Sequence, residues 1–353
     1  MIALRENVCL APYITLRVGG AARYFAEANS EEDVQHALAW ARQHSLPLFV
    51  LGGGSNLLVS DRGFAGLVLR IAIGGIAIHE CNDERIYTAG AGVEWDKLVE
   101  QSVGEGCAGL ECLSGIPGSV GGTPVQNVGA YGQEVAECIL RVRAVEIATG
   151  RLMTFERAEC GFRYRQSRFN TSDAGRYILT SVDFALRPGA VPKIAYADLK
   201  RHFLDQIEAG APPTPAEVRE AVLAIRRSKG MVLDESDPDS RSAGSFFKNP
   251  VVSRSELERI SDGSSDAVPH FEAGDGNVKL AAAWLIEHAG IARGLALGPA
   301  GISSKHTLAL VNLGGAKAAD ILRLKDLVQR KVFERFGVEL HPEPVMLGFE
   351  QER

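Results

Sequence analysis

A short apolar run, Leu48 to Leu51, leads into Gly52, Gly53, Gly54, Ser55, Asn56 and Leu57. Glycine lets backbone N–H groups approach an anion closely, so this run suits a phosphate cradle. It is also what an ordinary tight strand connection looks like. A P-loop would need Gly-Lys-Ser/Thr, and the dinucleotide fingerprint would need a third glycine where Leu57 stands. A second glycine-rich stretch covers residues 109–135, GLECLSGIPGSVGGTPVQNVGAYGQEV. From Leu98 to Leu140 there is no lysine or arginine, while Glu111, Glu134 and Glu137 are present. A pyrophosphate bound here must be held by backbone amides and by Ser114, Ser119, Thr123 and Asn127. Two such loops suit a long, bent, two-phosphate cofactor, and FAD fits better than a mononucleotide.

Residues 242–250 read SAGSFFKNP. Ser245 is a lone hydroxyl between Gly244 and two phenylalanines, with Lys248 and Asn249 just beyond. Taken alone it is a turn serine. Held where Phe246 and Phe247 exclude water, with Lys248 near enough to stabilise an alkoxide, it could also deliver a proton. Positioning would then matter more than acidity.

A chain of 353 residues suggests two or three domains, and 46% hydrophobic with 23% charged residues is an ordinary globular balance. The formal charge of −6 argues against nucleic acid or an anionic membrane as the main partner. The six cysteines, Cys9, Cys81, Cys107, Cys112, Cys138 and Cys160, include no C-x-x-C pair, so no metal site is expected and free thiols are. The N-terminus has no continuous apolar stretch of the export type, and no apolar run is long enough to span a bilayer. The expectation is a cytoplasmic protein, and a monomer.

The elements that must carry these residues are legible in part. Ser30 with Asp33 announces a helix over 30–44, and strands are expected at 48–51, 56–61, 66–71, 76–80 and 85–89, then a helix near 94–103. Seven glycines and two prolines forbid a regular helix through 109–135. Strands return at 139–147, 152–155 and 177–186. Thr214, Pro215 and Glu217 start a new helix as N-cap, N1 and N3, just after the proline cluster that marks the domain boundary. Further helices are expected over 279–290 and 317–337, each closed by a glycine.

Five segments occur in order: VLGGGSNLLVSD, GLECLSGIPGSVGGTPVQNVGAYG, CGFRYRQSRF, AGSFFKNPVV and LHPEP. Together they resemble the signature segments of the UDP-N-acetylenolpyruvoylglucosamine reductases, flavoenzymes of bacterial cell-wall synthesis. The resemblance runs from about residue 13 to 349. It implies an α+β chain: a two-part FAD-binding domain over 1–212, similar to vanillyl-alcohol oxidase, then an α+β substrate-binding domain over 213–344. The subdomains of the first would be about 1–70 and 71–212, with 345–353 returning to the first of them. The implied cofactors are FAD and NADPH, and the implied substrate is UDP-N-acetylglucosamine enolpyruvate. Hydride passes from NADPH to flavin and then to C3 of the enolpyruvyl ether, giving UDP-N-acetylmuramate. FAD contacts are implied for residues 52–57, for Ser114, Gly115, Ile116, Pro117, Gly118, Gly121 and Gly122, and for Asn127, Gly129, Ala130 and Tyr131.

An enol ether is electron-rich and accepts hydride poorly unless charge at C2 can spread into its carboxylate, which calls for a fixed cation there. Arg165 matches the family's catalytic arginine, whereas Arg163 and Arg168 read as surface ion-pair residues. Glu343, between Pro342 and Pro344, matches its catalytic glutamate, and Ser245 its proton donor to C2. Val345 stands where relatives commonly carry arginine, which removes any cofactor contact by that side chain. Lys229 resembles the pyrophosphate-binding lysine, and Tyr196 the tyrosine of a closing loop found in one subtype. Asn249 and His306 complete the implied substrate contacts. Two rivals stay open from the residues alone: an FAD-linked oxidase of the same fold, and a non-catalytic nucleotide-sugar binding protein.

Overall fold

A computed structural model describes residues 2–264 and 266–349. Contacts divide the chain into two compact units, each assembled from separate segments. The first comprises Met1–Val8, Ala22–Gly54 and Ala65–Ser228, and the second Cys9–Ala21, Ser55–Phe64 and Lys229–Arg353.

The first unit contains a four-stranded sheet in the order Leu4–Cys9, Ala21–Ala28, Phe64–Ile71, Leu48–Leu51, the last two running parallel. Helix Glu31–Gln43 packs Val34, Ala37, Leu38 and Ala41 against Leu67, Leu69 and Ile71. Its start is the expected one: Ser30 Oγ accepts the Asp33 N–H at 3.1 Å. Asp33 reaches back one residue further than a simple capping box, to the N–H of Asn29 at 2.9 Å.

An antiparallel sheet follows, in the order Leu152–Glu156, Ile139–Glu146, Tyr177–Pro188, Glu84–Gly90, Ile76–Cys81, with Cys107–Ala108 pairing separately on the long strand. Alternation gives it one apolar and one polar face. Tyr87, Ala89, Val142, Ala144, Val182 and Phe184 are buried with Trp95 and Leu98 of helix Trp95–Gly104. The opposite face carries a groove of about 330 Å³ lined by Thr88, Arg141, Arg143, Thr154, Ser181 and Asp183. Arg141 is paired there with Asp183, and Arg143 with Glu31, so the groove presents balanced charge. Residues 109–135 form only short turns and two-residue strands, as their glycines and prolines require.

Helix Pro215–Ser228 begins with a full capping box. The Glu217 N–H donates to Thr214 Oγ1 at 3.3 Å, and the Thr214 N–H to Glu217 Oε2 at 2.7 Å. Val218, Ala221 and Val222 pack with Cys112, Leu199 and Phe203. This buried face ties the helix to the first unit, so the compact unit ends at Ser228 rather than at the proline cluster before residue 213.

In the second unit, helix Ala318–Phe336 buries Ile321, Leu324, Val328, Val332 and Phe336 and stops at Gly337, whose φ is +69°. It packs on the strands Ala300–Ile302 and Leu310–Asn312 and on helix Ala282–His288. That last helix is shorter than its sequence suggests. Lys279 and Leu280 belong instead to strand Asn277–Leu280, the centre of a three-stranded sheet between Val251–Ser253 and His270–Gly274. Buried Val278 and Leu280 alternate with Asn277 and Lys279, and that period of two wins over the helical pattern. Strand Val345–Leu347 pairs in parallel with Leu57–Val59, so the end of the described chain meets a segment from its first seventy residues. Residues 350–353 lie outside the described residues. Among the described residues no helix is long and apolar enough to cross a membrane.

Candidate active site

The two glycine runs of the first unit touch at their backbones. A Cβ on Gly53 would fall 2.5 Å from Gly118 Cα and 2.8 Å from the Ser119 nitrogen, and one on Gly52 would sit 3.0 Å from Ser119 Oγ. Only glycine permits that approach. Three of the four polar side chains singled out for a pyrophosphate are committed to the protein. Ser114 Oγ donates to Glu111 O at 2.7 Å, and Thr123 Oγ1 to Val120 O at 2.8 Å. Asn127 Nδ2 donates to Glu134 Oε2 at 2.7 Å and to Arg163 O at 3.0 Å. Ser119 differs: its hydroxyl is buried with no hydrogen-bond partner among the described residues. A buried polar atom without a partner costs free energy unless something else satisfies it. An orphaned hydroxyl beside glycines that tolerate no Cβ fits a phosphate-bearing group such as FAD.

Three of the eight left-handed non-glycine residues among the described residues lie in this part of the chain. Asn127, Tyr131 and Arg165 all have left-handed φ, at 44°, 51° and 55°. For non-glycine residues this conformation costs free energy, and such residues concentrate at functional sites. Arg165 occupies the tip of a tight turn closed by reciprocal backbone bonds between Arg163 and Gln166, at 2.9 and 3.0 Å. Its Nη2 donates to Gly129 O at 2.7 Å, which aims the guanidinium toward the segment carrying Gly129, Ala130 and Tyr131. The Tyr196 ring meets Tyr131 edge-on at 5.2 Å and is partly exposed.

The second unit pairs the segment that follows Ser245 with the segment that ends at Glu343. Phe246–Lys248 lies antiparallel to His341–Glu343. The Glu343 N–H donates to Phe246 O at 2.9 Å, Phe247 bridges Pro342, and the Lys248 N–H donates to His341 O at 3.0 Å. Phe246 and Phe247 are fully buried, so the half-buried Ser245 starts where the apolar core begins. On its other side the Thr15 hydroxyl donates to Ser242 O at 2.5 Å, and the Gly244 N–H to Ser242 Oγ at 3.1 Å. Asn249 Oδ1 accepts the Ala282 N–H at 3.0 Å and so caps a helix. His306 Nδ1 accepts the Leu308 N–H at 3.1 Å, placing the proton of the neutral ring on Nε2. Ser55, Asn56 and Leu57 also fall in this unit, where the Val345 N–H donates to Asn56 O at 3.0 Å. The residues singled out from the sequence thus divide: Arg165 lies in the first unit, Ser245 and Glu343 in the second. Among the described residues no group of three or more His, Cys, Asp or Glu is arranged to hold a metal.

Comparison with known proteins decides among the readings. Residues 237–347 match the C-terminal domain of UDP-N-acetylenolpyruvoylglucosamine reductase, and residues 22–156 an FAD binding domain. The reductase of that name from Thermobifida fusca is 45% identical over 97% of this chain and 98% of its own length. The Nocardia farcinica reductase is 46% identical over 98% of this chain and 90% of its own length. The chain belongs to the UDP-N-acetylenolpyruvoylglucosamine reductase family. Its fold agrees. A crystal structure of the Thermus caldophilus reductase covers 98% of this chain and 100% of its own, with 27% identity and a TM-score of 0.66.

Within this reductase the structure adds residues that the sequence did not disclose. Asp96, on the second residue of helix Trp95–Gly104, accepts the Gly115 N–H at 2.6 Å and is gripped by Arg219. Thr15 and Asn312 lock the N-terminal thread into the second unit. Nothing local marks any of them, because each acts on a partner more than a dozen residues away.

Proposed function

We propose that this reductase converts the enolpyruvyl ether of UDP-N-acetylglucosamine to UDP-N-acetylmuramate with NADPH, in peptidoglycan precursor synthesis, and that Arg165, Glu343 and Ser245 divide the work. FAD, when bound, supplies the hydride chemistry that no side chain offers. The glycine runs at 52–54 and 115–122 hold it through backbone amides and the Ser119 hydroxyl. Arg165 binds the substrate carboxylate with its planar fork, so charge that develops at C2 after hydride arrives at C3 is shared with a fixed cation. Glu343 lies beside the Ser245 segment and stabilises the same intermediate through its carboxyl group. Ser245 Oγ gives its proton to C2, and Lys248 or a water stabilises the alkoxide left behind. Lys229, Tyr196, Asn249 and His306 bind the nucleotide-sugar portion. The protein works as a cytoplasmic monomer, and its formal charge of −6 is consistent with binding neither nucleic acid nor an anionic membrane surface.

The observation that carries this division is the pairing of Phe246–Lys248 with His341–Glu343, which joins hydroxyl and carboxyl segments on a dry core. An anaerobic two-step experiment tests it. In Ser245→Ala the flavin is reduced by NADPH at a near-normal rate. Its reoxidation by the enolpyruvyl sugar nucleotide slows by ~10²–10⁴-fold, the range for a lost general acid. Reoxidation at the wild-type rate would leave Ser245 as a turn serine.

A further inference from the structure

Residues 93–96 lace the second glycine loop along its length. Val93 O accepts the Val120 N–H at 2.8 Å, and the Trp95 N–H donates to Gly118 O at 3.1 Å. Trp95 Nε1 donates to Leu113 O at 3.0 Å, and Glu94 forms a bridge with Ser119. Asp96 completes the series with a side chain, its Oδ1 accepting the Gly115 N–H at 2.6 Å. The Gly115 carbonyl accepts from Arg226 Nη2 at 3.3 Å. Gly115 is therefore held at both polar groups of its backbone, in a left-handed conformation of φ +69°.

A carboxylate is an awkward hook for this purpose. A loop meant to receive a pyrophosphate should not carry an uncompensated negative charge, which would repel it. Arg219 removes the difficulty. From helix Pro215–Ser228 it takes Asp96 in two-pronged fashion, Nη1 to Oδ1 at 2.6 Å and Nη2 to Oδ2 at 2.8 Å. The side chains are only 12% and 28% exposed, so the pair is largely shielded from solvent. Burial opposes ionisation of Asp96, yet the Arg219 and Gly115 bonds hold its carboxyl below the usual range, so the anion persists at neutral pH. The position near a helix N-terminus favours the same charge.

We infer that Asp96 and Arg219 form a charge-balanced clamp, a pair of positioning residues that fixes the Gly115 peptide for the FAD pyrophosphate. The inference rests on the reading of residues 114–119 as part of the cofactor cradle. Asp96 supplies geometry, and Arg219 cancels the field that Asp96 would otherwise cast on a bound dianion.

The test follows FAD release from the loaded full-length chain on dilution, by flavin fluorescence, at low and high salt, with thermal unfolding in parallel. Arg219→Met removes the cation bonded to Asp96 and leaves only the non-bonded Arg226 to offset it, so FAD affinity falls about tenfold at low salt, and added salt restores part of it by screening. Asp96→Ala loses the hook and weakens FAD by a similar factor without that salt recovery. Asp96→Asn keeps an acceptor for the Gly115 N–H and stays within a few-fold of wild type. If Arg219→Met does not fold, Arg219→Lys replaces it, with a smaller loss at every salt concentration. Wild-type affinity in both Arg219→Met and Asp96→Ala overturns the clamp. So does an equal loss in both that tracks thermal stability and ignores salt, which would make the pair structural only. A wild-type chain that binds no FAD overturns the cofactor reading itself, and the clamp falls with it.

Discussion

His306 shows how a single side chain can be read once its neighbours are known. Its backbone N–H donates to Ser303 Oγ at 3.2 Å, and its Nδ1 accepts from Leu308, so the neutral ring is built into the turn. Burial pushes its pKa down to about 4, helped by Lys229 and Arg293 and opposed by Glu287. The unfolded chain takes up this proton near pH 6.5, well before the folded one does. The stabilisation is therefore complete above about pH 6.5 and is lost as pH falls toward 4, to an extent of up to about 3 kcal/mol. Urea unfolding at pH 7 and pH 4.5 should show that loss in the wild type and a much flatter response in His306→Asn. An unchanged slope in the variant would move the effect to another group.

At the scale of elements, the contact between the two glycine runs matters more than either run alone. Each taken singly is an ordinary connection. Pressed together, they leave no room for a Cβ on Gly53, because the atoms in the way are the backbone of Gly118 and Ser119 and cannot swing aside. Gly53→Ala should part the loops, cost about 1–3 kcal/mol as overpacking does, and lower the flavin carried by the purified protein. Gly74→Ala, outside both runs, is the matched control, since nothing lies within 4 Å of a Cβ there and its φ is not left-handed. Flavin absorbance per protein and thermal unfolding read both variants. Full flavin content in Gly53→Ala would count against the touching loops as the cradle.

For the whole molecule, the discontinuous second unit sets the strongest constraint. Residues 9–21 and 55–64 belong to it, although more than 160 residues separate them from Lys229. Asn312 Nδ2 donates to Leu16 O at 3.1 Å and to Arg17 O at 3.3 Å, while its Oδ1 accepts from Gly314 and Ala316. Asp61 caps helix Ala318–Phe336 through the N–H groups of Ala318 and Ala319, at 2.8 and 3.0 Å. Strand Leu57–Val59 completes the pairing of Val345–Leu347. A fragment beginning at Lys229 lacks Leu16, Arg17, Asp61 and strand Leu57–Val59, and leaves several buried polar groups unsatisfied. Expressed alone, it should unfold without a cooperative transition and be cut rapidly by protease. A cooperative thermal transition in that fragment would refute this account of the second unit.

Local chemistry decided much of this protein before any tertiary contact. The Ser30 cap, the Thr214–Glu217 box, the stop at Gly337 and the strand Ile139–Glu146 are set over a few residues, and the structure keeps each of them. The order of the glycine, FRYRQSRF, SAGSFFKNP and LHPEP segments sufficed to suggest the family to which the chain belongs. What only the tertiary structure decided is where partners come from. The Asp96–Arg219 pair joins residues 123 apart, and Lys279–Leu280 becomes strand because two other strands flank it. Helix Pro215–Ser228 joins the unit before it because its apolar face finds Cys112, Leu199 and Phe203 there. Capping and periodicity are properties of neighbouring residues, whereas these choices depend on which distant surfaces bury each other. Local sequence patterns do not record that.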